Sequence, residues 1–356
     1  MGDSEVYRKT YILKRGNYDT HGDEVLPGTP KAILPFDTTK LPKNRLGLAK
    51  WLFDRRNPLT ARVFVNRIWQ EFFGKGLVKS SGDFGMQGDL PSHPELLDWL
   101  SVDFMDHGWD VKRLVKQIVM SATYRQSAVI SDERLKNDPD NTLLTRGPRY
   151  RLPAEFVRDL VLASSGLLTR TIGGPSVNPY QPPGLWENAT SGRGILANYK
   201  QVHGANLYRR GMYTLIKRTV PPVEMAIFDA SNRDQCEVKR LRTNTPLQAL
   251  LMENDPTVLE AARVLAAKLL QDKSSASEKI YKAFRLIVCR KPNEKELSIL
   301  TAYFNDELKT MDKTTAAKVL NVGEYPIPEN INKVDLAALM KVVDTIYNLE
   351  EAITKT

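Results

Sequence analysis

Two cysteines and four histidines are all that the 356-residue sequence offers of the side chains most often used for metal and redox work. Cys236 and Cys289 are too few for a disulfide framework, and their spacing gives neither CxxC nor CxxCH, so this segment has no c-type haem attachment site of its own. They read either as two buried thiols acting as small apolar groups or as one bridge. His21, His93, His107 and His203 are too scattered for a histidine metal site or a nucleophilic triad, and each takes a structural or surface role. No P-loop, dinucleotide fingerprint, GxSxG, HExxH or zinc spacing is present. No apolar run is long enough to span a bilayer. The opening MGDSEVYRKTYILKRG lacks the apolar core of a signal peptide, so either a signal has been cut away or the protein stays inside. Carboxylate chemistry and simple binding remain.

With 42% hydrophobic and 26% charged residues, the composition is that of an ordinary globular chain. Its length suits one large or two ordinary domains. The net charge is +9, and it is uneven: Leu41 to Lys79 holds nine basic residues against Asp54 and Glu71. Such a surplus points to an anionic partner. No sequence signature of a nucleic-acid module is present, whereas sulfated or uronic-acid glycans would satisfy the charge equally well.

The clearest physical grammar lies between Arg45 and Gly85. Asn57-Pro58 ends one helix near Arg56 and starts another that runs to Phe73, with Asn57 as its N-cap. Val65, Ile68, Trp69, Phe72 and Phe73 form one apolar face. Arg62, Asn66 and Gln70, with Arg67 and Glu71 beside them, form a polar stripe that is either solvated or a row of ligand-facing donors.

Either side of this stretch the periodicity is readable. Tyr7 to Lys14 predicts a short strand, and residues 16–44, rich in proline, an extended strap. Ser92 and Glu95 predict a capping box for a helix to about Asp106, and Asp110 caps the next. Residues 126–150 read as a long surface loop. Pro153 opens a helix placing Glu155, Arg158 and Asp159 on one face. Two carboxylates at i, i+4 repel, so they read either as an acid/base or hard-cation site or as a network neutralised by Arg151 and Arg158. Residues 172–206 form a long glycine- and proline-rich loop, in which Tyr180, Trp186 and Tyr199 either stack on ligand rings or anchor the loop. Leu207 to Arg218 alternates as a strand carrying Arg209, Arg210, Lys217 and Arg218. Arg240, Arg242, Asn244, Gln248 and Asn254 gather donors near helix ends capped at Thr245 and Asp255, a second candidate wall. Beyond Pro256 the chain is helical support.

The blocks RLGLAKWL, NPLTARVFVNRIWQEFFGKGLV, SSGDFGMQGDLPSHPELLDWL, SATYRQS, YRLPAEFVRDLVL, LYRRGMYTLIKRTVPP, MAIFDASNRDQCEVKRLRTNTPLQALLMENDP and AFRLIVCRKPNEKEL run through nearly the whole chain in order. Together they resemble the domain of unknown function "fifteen fifty-three" of planctomycete-type multidomain proteins that also carry cytochrome c-like modules. The resemblance implies an extracytoplasmic setting, a piece trimmed near Ser4, any haem on an upstream module, and a link to polysaccharide breakdown. It implies no particular activity.

The expectation is a mainly α fold: one family domain over residues 1–356, with a strap to residue 44, a helical core over 45–171, a loop and strand over 172–222 and a helical part over 223–356. The function expected is an accessory domain that binds an anionic carbohydrate through Arg62, Asn66, Arg67, Arg151, Arg158, Trp186, Arg209, Arg210, Lys217, Arg218, Arg242, Asn244, Gln248 and Asn254, with no metal. The alternatives are a glycan-active enzyme using Glu155, Asp159 or Asp255, and a scaffold that docks a cytochrome c-like domain.

Overall fold

Residues 8–190, 193–194 and 197–355 are described in a computed structural model. Fourteen α-helices and two two-stranded sheets make the described chain mainly α, as its periodicities predict. It separates into two compact units, Met1–Pro148 and Arg149–Thr356.

In the first unit β1 (Thr10–Leu13) pairs antiparallel with β2 (His21–Val25). The strap therefore contains a strand, and Tyr7 lies outside the described residues. His21 stacks on Tyr11 with ring centroids 4.5 Å apart. Residues 26–44 then lead to α1 (Arg45–Leu52), where the Asn44 side chain accepts from the Gly47 N–H and caps the helix. Trp51 is buried and donates its indole N–H to the Leu34 carbonyl at 2.9 Å, tying the strap down.

The next helix, α2 (Thr60–Phe73), begins later than expected. Asn57 accepts from the Leu59 N–H at 3.0 Å in a local turn rather than capping the helix. Val65, Trp69 and Phe73 are buried as the pattern requires, and they meet Leu97, Leu100 and Phe104 of α3 (Pro94–Asp106) and Leu114 and Ile118 of α4 (Val111–Met120). The predicted Ser92–Glu95 box does not form: Ser92 bonds to the neighbouring His93 ring instead. Residues 126–148 include α5 (Asp132–Asn137) and a turn organised by Asp138, whose carboxylate accepts from the N–H groups of Thr142 and Leu143 at 2.7 and 3.0 Å.

In the second unit β3 (Tyr150–Arg151) pairs with β4 (Thr354–Lys355), bringing the two ends of the unit together. Between them run α6 (Ala154–Ser165), α7 (Leu185–Thr190), α8 (Val223–Ile227), α9 (Pro246–Asn254), α10 (Pro256–Leu270), α11 (Ala276–Val288), α12 (Glu294–Thr310), α13 (Lys313–Leu320) and α14 (Lys333–Tyr347). α10 and α14 form the centre: Ala261, Ala262, Ala266, Ala337 and Ala338 let the two backbones approach, and Leu265, Leu336, Val343 and Ile346 fill the space around them. α13 sits in what reads as a polar linker, capped by Asp312.

Leu207–Arg218 is not a strand. It is two 3-10 turns, Gly204–Tyr208 and Gly211–Tyr213, with isolated bridges from Arg209 to Thr169 and Thr214 to Val177. Both cysteines are free and exposed; Cys289 takes φ +62° at the end of α11.

Candidate functional site

A cross-linked polar region lies at the start of α6. Pro153 presets the helical entry, and Glu155 falls in the first turn, where unsatisfied N–H groups favour a carboxylate. The Glu155 carboxylate accepts from Arg240 Nη1 at 2.7 Å. One turn on, Asp159 accepts from Arg210 Nε at 3.0 Å and from the Gly211 N–H at 2.7 Å. Position 211 must be glycine, since a Cβ there would lie 2.7 Å from the Glu155 Cα. Each member of the repelling pair thus has its own guanidinium. Burial is the largest single influence and pushes the Glu155 carboxyl up, but the hydrogen bond from Arg240, a backbone N–H and the charges of Arg240 and Arg233 together hold the group below the usual range.

The expected neutralising residues are different ones. Arg151 donates to the Asn244 side-chain oxygen. Arg158 turns inward, 6% exposed, and donates from Nη2 to the Leu207 carbonyl at 2.7 Å and from Nη1 to Thr257 Oγ1 at 3.4 Å. Phe156, between Glu155 and the buried Val157, is 58% exposed.

Residues 232–242 are exposed throughout, yet the segment is pinned at several points. The Asp229 carboxylate accepts from the Thr243 N–H and hydroxyl at 2.7 and 2.8 Å. Gln248, buried rather than ligand-facing, donates to the Ile227 carbonyl at 3.1 Å and the Thr243 carbonyl at 3.3 Å. The Arg242 guanidinium lies 4.2 Å from the Tyr150 ring centre. Arg151, Arg210, Arg240 and Arg242 are thereby brought together around the first turns of α6, and Arg210 and Arg240 keep 49% and 39% of their side chains open to solvent.

Beneath this face is a second group. α8 carries Glu224, and Asp255 caps α10, accepting from the Thr257 and Val258 N–H groups at 2.8 and 3.3 Å. Both carboxylates, with Arg158, line a cavity of about 30 Å³ walled by Ala154, Val157, Val161, Phe228 and Met252. As whole residues the two acids are half-buried, but Glu224 Oε1 and Arg158 Nε are fully enclosed and have no hydrogen-bond partner. Burial first, and the Asp255 charge second, push Glu224 up to about 7. Asp255 is raised as well, again by burial. Sequence reasoning had no role for Glu224. A signal did exist, a single acid in the run Val223 to Phe228 that is otherwise apolar.

The other expected residues are dispersed. Trp186 is 2% exposed, with the Lys217 amine 4.4 Å from its ring centre and Tyr199 edge-on at 5.0 Å. Tyr180 donates to the buried Glu260 at 3.1 Å, as does Tyr208. The described aromatics of the 172–206 loop are therefore anchors, not free stacking platforms; residues 191, 192, 195 and 196 of that loop lie outside the described residues. Arg209 faces inward, donating to the carbonyls of Pro175 and Thr171 at 2.9 and 3.2 Å and stacking 3.8 Å from the Tyr213 ring centre. Arg218 is exposed, and Asn254 bonds back to the Leu250 carbonyl at 2.8 Å.

In the first unit the polar stripe divides. Asn66, 1% exposed, accepts from the Val78 N–H at 2.8 Å and donates to the Val78 carbonyl at 3.1 Å. Gln70 is buried too and bonds Ser81. Arg62 pairs with Asp98 at 2.7 Å, Lys75 with Asp140 at 3.8 Å, and Arg55 with Asp106. The linear surplus of charge is thus partly cancelled by acids from outside the stretch; Arg67 stays exposed.

Among the described residues, no three His, Cys, Asp or Glu side chains converge as a metal site, and no helix is long and apolar enough to cross a membrane. These features define a mainly helical chain with an arginine-rich face over a buried carboxylate pair. The family model described as PSD1, protein of unknown function (DUF1553), matches residues 44–304, so the chain belongs to that family. It matches no curated protein and no solved structure.

Proposed function

We propose that this chain is an accessory binding domain that takes an anionic carbohydrate, sulfated or uronic, on the arginine face at the start of α6. The observation that carries the reading is the bracing of that face: Arg240 by Glu155, Arg210 by Asp159 and Arg242 by Tyr150. An arginine already held in place loses less side-chain entropy on meeting a sulfate or carboxylate, and its planar fork suits both groups. The face brings together Arg151, Arg210, Arg240 and Arg242 against Glu155 and Asp159, so it keeps a positive surplus after its own pairs are made. The setting that goes with this function is outside the cytoplasm, beside cytochrome c-like modules of a longer protein.

Docking of such a module is the second reading. It is favoured by Leu241, 78% exposed between Arg240 and Arg242, because an apolar side chain amid arginines suits a protein surface better than a sugar sulfate. A glycan-active enzyme has less support. Glu155 and Asp159 are held in ion pairs, and the cavity at Asp255 has room for one or two water molecules rather than a sugar ring.

Calorimetric titration with neutral, uronic and sulfated oligosaccharides at low and high salt tests the proposal, with Arg242→Ala and Arg67→Ala alongside. Anionic sugars should bind, more weakly in high salt, and Arg242→Ala should weaken them several-fold while Arg67→Ala does not. Absence of binding by every sugar would turn the reading to docking. Equal loss from both variants would move the site off α6.

A further inference from the structure

The cavity between α6, α8 and the start of α10 encloses three formal charges: the carboxylates of Glu224 and Asp255 and the guanidinium of Arg158. Written with every group ionised, the set carries one uncompensated negative charge in an apolar wall. An isolated charge is costly there, whereas one added positive charge neutralises the set. The hydrogen bonds show which carboxylate is short of support. Asp255 is satisfied as a helix cap by the N–H groups of Thr257 and Val258. Arg158 spends Nη2 and Nη1 on the Leu207 carbonyl and the Thr257 hydroxyl. Glu224 Oε1 is enclosed without a partner, and so is Arg158 Nε.

The charged and titratable groups facing Glu224 are Arg158 from α6, Asp255 from the start of α10 and, from the loop before Gly204, Tyr199. Tyr199 cannot serve as the missing cation, and its hydroxyl already donates to the Pro179 carbonyl. The cavity, about 30 Å³, takes a water molecule or two. A bound water accepting from Arg158 Nε and donating to the carboxylate would satisfy both orphaned atoms.

We propose that this cavity is a proton-binding site, in which one proton held on Glu224 completes the charge balance and locks α8 to α6 and α10. The fold of the second unit is then coupled to pH. Burial and the neighbouring Asp255 lift Glu224 from the ordinary glutamate value of 4.5 to about 7. A carboxyl raised in the folded state binds its proton more tightly there than in the unfolded chain. Its contribution is whole below the unfolded pKa and is lost as pH rises through the folded one. Stability should therefore decline between about pH 5 and pH 8, a window well above that of carboxylates held low by ion pairs.

The test is thermal unfolding of the full chain across that window, for the wild type, Glu224→Gln and Glu224→Leu, in sodium, potassium and choline chloride. The melting temperature of the wild type should fall by roughly 5 °C or more from the acid to the alkaline end. Glu224→Gln, a permanent mimic of the protonated acid, should fall clearly less than the wild type over the window, its remaining slope coming from Asp255 and from Asp344 of α14, whose carboxyls burial also raises. Infrared spectra of the wild type near neutral pH should show a protonated carboxyl band larger than that of Glu224→Gln, in which only Asp255 and Asp344 can contribute. This band reports the proton even where Glu224→Leu fails to fold. A wild-type profile without slope, or the same slope in Glu224→Gln, overturns the proposal. So does rescue of the alkaline form by sodium or potassium but not choline, which would make the site one for a metal cation.

Discussion

Glu155 and Arg240 stand 85 residues apart in sequence and meet at 2.7 Å, with the carboxylate mostly buried and the guanidinium half open. This contact draws the exposed 232–242 segment onto the first turn of α6. Removing the arginine leaves a buried carboxylate with its desolvation uncompensated, a larger effect than losing a surface pair. Arg240→Ala should cost about 1–3 kcal/mol in urea unfolding, and a double-mutant cycle with Glu155→Gln should return a coupling of about 1 kcal/mol. A coupling indistinguishable from zero would mean the segment is held by its other ties alone.

Gly47 packs against the strap so closely that a Cβ would lie 1.8 Å from the Pro42 carbonyl oxygen, a backbone atom that cannot swing aside. Gly47→Ala should destabilise the first unit by about 1–3 kcal/mol, in line with other overpacked sites. Gly28→Ala is the control, because nothing lies within 4 Å of that position. Denaturant midpoints of the two variants should separate clearly; equal midpoints would refute the close approach.

Asn66 serves both backbone groups of Val78 from inside α2. Truncation to alanine leaves a buried N–H and C=O unpaired, and Asn66→Ala should lose about 2–4 kcal/mol. Amide exchange at Val78 should quicken far more than exchange in α4. If thermal stability is unchanged, water has taken over both bonds.

Asp255 has two opposed effects: it caps α10 and it adds negative charge beside Glu224. Asp255→Ala should cost about 1 kcal/mol at acid pH through the lost cap. Asp255→Asn keeps an acceptor for Thr257 and Val258 and removes the charge. Because the Asp255 carboxyl is raised in the folded state, its contribution falls as pH rises through its folded value, so Asp255→Asn should gain in stability on the wild type between about pH 5 and about pH 8. Urea unfolding at the two pH values decides this, and the same difference at both would show that the charge is not felt.

Much of the helical architecture was legible locally. The apolar stripe of Val65, Trp69 and Phe73, the caps at Asp110 and Asp255 and the start of α6 after Pro153 all depend on neighbours within about four residues, and the structure shows each of them. The alternation of Leu207 to Arg218 misled because alternation needs a strand partner to become a strand. Here the described backbone meets isolated bridges to Thr169, Val177 and Val220 and no continuous strand.

By itself the sequence determined the mainly α class, the family and the positive charge of the chain, since these follow from composition, short-range periodicity and ordered blocks. Only the tertiary structure decided which charge meets which. It turned Arg158 inward toward Glu224 and Asp255, gave Glu155 to Arg240, set Asn66 on Val78 and cancelled part of the basic stretch with Asp98, Asp106 and Asp140. The reason is physical. A helix period fixes the side of the helix a residue occupies, but ion-pair partners and the depth of burial depend on which distant segment packs against that side.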